Sequence, residues 1–210
     1  MSTVPVRHYT PEEYLALERA AEYKSEYYRG EIFAMAGAKL AHNLIAINLI
    51  RSLGNALDGG NCRVLSSDMR TKCPTGLYTY PDASIVCGKP DLEDEHVDTL
   101  LNPRVVFEIL SPSTEAYDRG KKFENYRTIA SLREYVLIAQ DHASVEKFVR
   151  PKDAGPWEWT AQNDLKDMLI LSSCNASIRI ADIYAGIDFP PPTIADVAPF
   201  TVFPDRMPPR

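Results

Sequence analysis

The spacing of hydrophobic positions changes along this chain and predicts both helices and strands. Leucine and isoleucine recur at helical intervals between residues 39 and 57, which predicts the longest helix. A shorter helix is predicted to follow Thr10, because Thr10 can cap it, Pro11 suits the first helical position and Glu13 can close a capping box. A third helix is predicted from about Arg119 to Ile129, after Ser113, Thr114 and Asp118.

Short apolar runs bounded by turn residues predict the strands. Residues 25–36 are typical of a hairpin around Gly30, and residues 144–150 and 156–161 are typical of a second hairpin. Further strands are predicted at 62–66, 79–87, 105–111 and 133–139, and one last helical turn is predicted at 180–186. This order of elements predicts an α/β domain with a mixed central sheet flanked by helices, preceded by an N-terminal helix and hairpin.

The last part of the chain has a different composition. From Asp188 onwards the sequence is rich in proline and shows little periodicity. We therefore predict a folded domain over residues 1–187 and a tail over residues 188–210 that is extended or disordered.

Composition narrows the class of protein. The 210 residues contain no run of about 18 apolar residues, which predicts that no segment spans a membrane. The N-terminus has no apolar core typical of a secretory signal, so a cytoplasmic location is the expectation. Because the net charge is −6, nucleic acid is not expected to be gripped over a broad surface, although a local basic patch remains open.

The four cysteines show no close sequence pairing. Cys62, Cys73, Cys87 and Cys174 form neither a CxxC nor a CxxxxC motif. This spacing disfavours a zinc knuckle and a disulfide framework, and it predicts buried, reduced thiols.

Two acids stand in strand-like apolar runs. Glu108 lies within VVFEILS, and an ionised carboxylate without a partner in a buried strand costs several kcal/mol. Asp82 stands at the start of an earlier apolar run, directly after Pro81. Two carboxylates on neighbouring strands, together with the main-chain carbonyl of Ile109, could hold a hard divalent cation such as magnesium. Each acid also has a structural interpretation, as a turn residue for Asp82 and as a paired buried acid for Glu108.

A cationic residue is expected near these acids. Lys122 and Tyr126 are four residues apart and share a helical face, whereas Phe123 is expected to anchor the helix. Lys122 could orient an attacking water or stabilise charge on a phosphate, or it could be a solvated surface lysine as we expect for Lys121.

Five segments and one histidine, in this order, resemble the Uma-two (Uma2) family of restriction-endonuclease-like proteins, within the PD-(D/E)XK nuclease superfamily. They are KSEYYRGEIFAMAG with the following His42, YPDASIVC, VVFEILSPST, DRGKKFENYR and SLREYVLI, and the resemblance runs from about Tyr9 to Ile187. The resemblance implies an α-β-β-β-α-β core, with Asp82 as the first acid of the motif and Glu108 as the second.

The resemblance also implies a departure from the usual site. The superfamily's lysine normally stands two residues after the second acid, where this chain has Leu110. Lys122 resembles a lysine relocated to the next helix. Glu26 and His42 resemble positions that assist the site, although Glu26 could be an exposed, paired acid and His42 a core or capping histidine.

These observations predict an endonuclease that hydrolyses DNA phosphodiester bonds with Mg²⁺, for which Mn²⁺ could substitute. DNA is the expected partner, and a homodimer is expected because two cuts in a duplex need two sites. The alternative is a catalytically inactive scaffold that binds nucleic acid or a protein, which Leu110 and the acidic net charge favour. A carboxylate hydrolase of small substrates is a weaker third interpretation, since no motif for sugar binding or acyl transfer accompanies the acids.

Overall fold

The fold begins with a capped helix and a hairpin. The structure is a computed structural model, and it describes residues 7–152 and 155–189. Helix α1, Pro11–Ala20, has the predicted capping box between Thr10 and Glu13. Strands β1, Ser25–Tyr28, and β2, Glu31–Ala34, pair antiparallel. Arg29 and Gly30 between them have φ angles of 49° and 95°, the left-handed pair that a two-residue hairpin turn requires.

The remaining elements follow in an alternating order. They are α2 (Leu40–Ala56), β3 (Cys62–Ser66), β4 (Arg70–Lys72), β5 (Tyr78–Thr79), β6 (Ala83–Cys87), β7 (Thr99–Leu100), β8 (Val105–Leu110), α3 (Glu115–Tyr117), a π-helical turn (Asp118–Lys122), α4 (Phe123–Tyr126), β9 (Glu134–Ala139), β10 (Val145–Val149), β11 (Glu158–Gln162), β12 (Met168–Leu171), β13 (Ala176–Arg179) and α5 (Ile180–Ile183).

The central sheet has six strands in the order β11-β10-β9-β8-β6-β3. Strands β8 and β9 are parallel, whereas the other neighbouring pairs in this sheet are antiparallel. A five-stranded sheet, in the order β2-β1-β5-β4-β7, contains the N-terminal hairpin, and β12 pairs with β13. The predicted α/β fold with a mixed sheet is therefore confirmed.

Both faces of β8 are buried, and each faces a different layer. One face packs Phe107 and Ile109 against Ile45 and Leu49 of α2 within the larger core cluster. The other face carries Glu108, because successive side chains of a strand point to opposite sides. Its neighbours Val106 and Leu110 pack in a second cluster that includes Tyr126 of α4. Glu108 thus points towards the helical layer formed by α3, the π-helical turn and α4.

Two predicted elements differ in the structure. The third helix begins at Glu115 rather than Arg119 and ends at Tyr126, and the π-helical turn interrupts it. The predicted strand 79–87 is divided, since Tyr78–Thr79 belongs to the five-stranded sheet and Ala83–Cys87 to the central one. Asp82 lies at this crossing, immediately before β6.

The prediction of four reduced cysteines is wrong for two of them. Cys62 and Cys87 are directly opposite each other in the antiparallel pair of β3 and β6, and they form a disulfide. Sequence spacing alone did not indicate this, because strand register and not sequence proximity brings the two together. Cys73 is a free, buried thiol and Cys174 is a free, half-buried one.

The predicted tail lies outside the described residues except for Asp188 and Phe189. The Phe189 ring packs against the core, with its centroid 5.2 Å from that of Tyr184. The division into a domain over 1–187 and a tail over 188–210 stays a prediction. In the described part of the chain, no helix is both long and apolar enough to cross a membrane.

Candidate functional site

Glu108 is the buried centre of a polar cluster. It lies in β8 and is only 3% exposed. Its Oε1 atom accepts a hydrogen bond from the Tyr126 hydroxyl at 2.9 Å and lies 3.0 Å from the Lys122 ammonium. Since Lys122 and Tyr126 are one turn apart, the same face of the helical layer supplies both contacts.

Lys122 is buried among three carboxylates. Its Nζ atom lies 3.0 Å from Glu108, 3.4 Å from Glu26 and 3.6 Å from Asp118. The side chain is 6% exposed, so Lys122 is not a solvated surface lysine. Lys121, the preceding residue, is exposed, as expected. The ammonium lies well within the range of about 6 Å over which opposite charges influence each other's pKa.

Glu26 approaches the cluster from the other sheet. It lies within β1 of the hairpin, and it is buried instead of exposed. Thr79 donates a short hydrogen bond to its Oε1 atom, and the Tyr117 hydroxyl donates to Oε2 at 3.2 Å. The pairing with Lys24 or Arg29 that a surface glutamate would have does not occur among the described residues.

His42 and Asp82 form a second group beside the first. The His42 Nε2 atom lies 3.3 Å from Asp82 Oδ1, and the Ile109 amide donates to Asp82 Oδ2 at 2.7 Å. The hydrogen bond from Ile109 links Asp82, immediately before β6, to the residue after Glu108 in the neighbouring strand β8. His42 lies in the first turn of α2 and is mostly buried. The structure therefore brings all five sequence-predicted side chains together near one end of the interior strands β6 and β8.

Asp118 is the site residue that the sequence interpretation missed, since we took it only as the start of a helix. It is 3% exposed and lies in the π-helical turn, four residues before Lys122. The Tyr135 hydroxyl donates to its main-chain carbonyl at 2.9 Å, which holds the turn against β9. The four-residue spacing to Lys122 was a usable signal, because it puts both side chains on one helical face.

Burial and charge shift the pKa values of this cluster in distinct directions. Burial raises the pKa of Glu108 well above its usual range, and Asp118 and Asp82 add to the rise while Lys122 opposes it. Burial likewise raises the pKa of Asp118. For Lys122 burial lowers the pKa, but the carboxylates of Glu108, Glu26 and Asp118 outweigh it, so the net shift is upward and the ammonium stays charged.

The pKa of His42 is also raised. Burial alone would lower it, but the adjacent Asp82 carboxylate outweighs burial by its hydrogen bond and its charge. The neighbouring Asp118 contributes in the same direction. His42 therefore retains its proton to higher pH than an isolated imidazole does.

The cluster carries more acids than cations. Asp82, Glu108, Glu26 and Asp118 surround one lysine and one histidine, so negative charge is in excess when the acids are ionised. No group of three or more acidic, histidine or cysteine side chains forms a ready metal cage in the described ranges. Carboxylate and main-chain carbonyl oxygens are nevertheless the ligand type that Mg²⁺ takes while it keeps several of its waters.

The fold and this site define the class of protein: a mixed α/β nuclease-like fold with acids and a lysine at one end of its central strands. A solved structure described as "a putative nuclease belonging to DUF820", from Anabaena variabilis ATCC 29413, superposes with a TM-score of 0.66. The superposition covers 83% of this chain and 96% of that one at 20% sequence identity, and it shows a shared fold.

The chain belongs to the Uma2 family, whose description is "Putative restriction endonuclease" and whose profile matches residues 11–181. Two relatives come from Synechocystis sp. (strain ATCC 27184 / PCC 6803 / Kazusa). The uncharacterized protein slr1290 is 35% identical over 89% of this chain and 97% of its own length. The uncharacterized protein sll1609 is 37% identical over 69% of this chain and 82% of its own length. The family resemblance of the sequence is thus confirmed.

Proposed function

We propose that the protein is a metal-dependent endonuclease that hydrolyses DNA phosphodiester bonds at the cluster of Asp82, Glu108 and Lys122. The observation that carries this proposal is the buried contact of 3.0 Å between Lys122 and Glu108. It lies beside the hydrogen bond that the Ile109 amide donates to Asp82. Membership of a family described as restriction endonucleases supports the same reaction class.

Mg²⁺ is the proposed cofactor, and Mn²⁺ would substitute for it. Asp82, Glu108 and the Ile109 carbonyl would hold the ion, and the excess of negative charge around Glu108 favours a cation there. When bound, such an ion supplies an activated water and stabilises negative charge on the phosphate.

Lys122 would act as a fixed positive charge. Because its pKa is raised, it remains an ammonium at neutral pH and cannot serve as a general base. It can instead donate hydrogen bonds to the attacking water and to the phosphate oxygen on which charge develops. This provides, from the helical layer, the cation that Leu110 cannot provide, since Leu110 is buried in the second core cluster.

Glu26 and His42 would assist from opposite sides. Glu26 lies 3.4 Å from Lys122 and fixes the ammonium in place. His42, whose pKa is raised beside Asp82, would orient that carboxylate and in its protonated form would offer a proton donor near the phosphate. Asp118 would be a further positioning residue for Lys122, at 3.6 Å.

The proposed assembly is a homodimer. Leu40 and Ile47 are seven residues apart on α2, hence on one helical face, and they are 75% and 63% exposed. Strand β2 is also an edge of its sheet and carries the exposed Phe33. Exposed apolar side chains of this kind are typical of a protein interface.

A catalytically inactive scaffold is the second candidate. Within the described residues no three acidic, histidine or cysteine side chains are arranged to hold a metal ion, and this observation favours it. The same surface would then bind nucleic acid or a protein without hydrolysis.

Metal binding separates the two candidates before any cleavage is measured. Calorimetric titration with Mn²⁺ should show binding by the parent protein and none by Asp82→Ala. The control is Asp68→Ala, which removes an exposed acid paired with Lys24 and should bind as the parent does. Equal binding by Asp82→Ala and parent, with both folded, would refute the proposed ligand set.

A further inference from the structure

We propose a second binding site on this protein, formed by Arg127, Arg133 and Arg150, for the phosphodiester backbone of nucleic acid. The inference rests on the proposed function, because it assigns the residues with which an acidic protein binds a polyanionic substrate. It concerns the end of the central sheet opposite to the acidic cluster.

The three arginines are held together by main-chain contacts. Arg150 directly follows β10, and its amide donates to the Arg133 carbonyl at 2.8 Å. Its guanidinium donates to the Ala130 carbonyl at 3.1 Å and, through a short bond, to the Arg127 carbonyl. The guanidinium also lies over the Trp157 ring, 5.0 Å from the centroid. Arg150 is therefore the fixed centre of the group, with Arg127 and Arg133 beside it.

No carboxylate in the described ranges 7–152 and 155–189 compensates the positive charge at this place. The pKa of Arg150 is lowered, first by burial and then by the charges of Arg133 and Arg127. Among the residues that the structure describes, no carboxylate forms an ion pair with any of the three. Arg127 is exposed and Arg133 is partly exposed, so this place lies at the surface, where a ligand can reach it. An anion bound here would relieve the mutual repulsion.

Phosphate is the anion that best matches this group, because the N–H forks of Arg127 and Arg133 can bind it in a bidentate manner. Arg150 adds positive charge, since its terminal nitrogens already donate to main-chain carbonyls. The cluster is also at a suitable distance from the acids. Arg133 is four residues before Leu137, which pairs with Glu108, so the two sites are separated by about 13 Å along the strand at about 3.3 Å per residue. A strand of about four nucleotides, rising about 3.4 Å each, spans that distance.

The test is the salt dependence of DNA binding, measured by fluorescence anisotropy with a labelled duplex in EDTA, where no hydrolysis occurs. Arg127→Gln combined with Arg133→Gln removes two phosphate contacts. The slope of log K against log salt should become shallower by about 1.8, and affinity near 0.1 M salt should fall about 60-fold. Arg127→Lys combined with Arg133→Lys keeps both charges and should restore most of the affinity.

The matched control is Arg51→Gln combined with Arg63→Gln, which removes the same charge from exposed positions on α2 and β3. It should bind DNA within about twofold of the parent, whereas an equal loss in both double variants would mean a non-specific charge effect and refute the site. Failure of the parent to bind DNA would also refute the site. So would displacement of the labelled duplex by polyglutamate as readily as by unlabelled DNA.

A small phosphodiester distinguishes this proposal from the nuclease proposal. Bis(p-nitrophenyl) phosphate cannot span the two sites, so its Mn²⁺-dependent hydrolysis should be the same in the parent and in Arg127→Gln/Arg133→Gln. If the parent hydrolyses it but the arginine variants bind DNA normally, the second site is wrong and the nuclease proposal stands. If the arginines bind DNA and nothing is hydrolysed, the second site stands and the nuclease proposal fails.

Discussion

At the scale of single residues, the environment of Lys122 has the largest energetic consequence. One ammonium lies within 3.6 Å of three carboxylates, all of them almost removed from water. Breaking a buried ion pair by removing one partner costs more than the pair itself contributes, because the remaining charge loses both water and partner.

Replacing this lysine should therefore destabilise the protein. Lys122→Met should lower the free energy of unfolding at neutral pH by about 3 to 5 kcal/mol, measured by denaturant titration. Lys121→Met, at the exposed neighbouring position, should change it by less than about 0.5 kcal/mol. Equal, small effects of both substitutions would mean that the carboxylates do not depend on the ammonium.

Glu108 should make stability depend on pH. Burial raises its folded-state pKa, whereas the unfolded chain releases this proton near the ordinary value of 4.5. The contribution of protonated Glu108 to the free energy of unfolding is thus fully present below pH 4.5. It is lost as pH rises towards the higher folded-state pKa.

Thermal denaturation of the metal-free protein should show this dependence. The melting temperature of the parent should fall between about pH 5 and pH 8, and that of Glu108→Gln, which can still accept the Tyr126 hydrogen bond, should fall less. Glu108→Gln should consequently be the more stable protein at the upper end. If it is less stable there than the parent, the ion pair with Lys122 outweighs the cost of burying the charge.

At the scale of elements, the sequence predicted the order and type of most helices and strands, because their hydrophobic periods are clear. The central strand β8 and the helix α2 agree closely with the patterns at 105–111 and 39–57. Asp82 and Glu108 could be selected because charged residues in or beside apolar runs are costly without a reason. Lys122 could be selected because it shares a helical face with Tyr126 and resembles a relocated lysine of the family.

What the sequence did not predict depends on contacts between elements. The π-helical turn Asp118–Lys122 adds a residue to one turn of the helix, and no periodicity over so few residues indicates it. Asp118 becomes a site residue only because the helical layer packs on β8. The disulfide likewise depends on the register of β3 against β6.

That disulfide gives a prediction about the central sheet. It joins residues 25 positions apart. Closing a loop of this length reduces the entropy of the unfolded chain, which stabilises the folded state by about 3 to 4 kcal/mol. A reducing agent should lower the melting temperature of the parent but not that of Cys62→Ser/Cys87→Ser. Cys174→Ser, which removes a free thiol, should respond to reduction as the parent does, and a parent insensitive to reduction would contradict the prediction.

At the scale of the whole molecule, the exposed apolar positions on α2 predict the assembly. The parent should sediment as a dimer, and Leu40→Glu/Ile47→Glu should sediment as a folded monomer, because a buried charge opposes association. Leu17→Glu, at a half-exposed position on α1, should leave the dimer intact. A monomeric parent at micromolar concentration would contradict the proposed homodimer.

The charge distribution also differs between the two ends of the central sheet. Acids with one lysine and one histidine occupy one end, and arginines without an ion pair among the described residues occupy the other. In the proposed account the arginines hold the substrate backbone and the acidic end carries out hydrolysis. The overall charge of −6 is compatible with this account, since binding depends on the local arrangement of charge.

The most direct test of the account is the rate of plasmid cleavage in Mn²⁺ by the parent, Lys122→Ala and Lys121→Ala, each at a temperature where it is folded. The account predicts that the parent converts supercoiled plasmid to nicked and linear forms, and that EDTA stops the reaction. Lys122→Ala should be at least about 100-fold slower, while Lys121→Ala should cleave like the parent. Cleavage at the parent's rate by a folded Lys122→Ala protein, or no cleavage by the parent on any DNA offered, would contradict it.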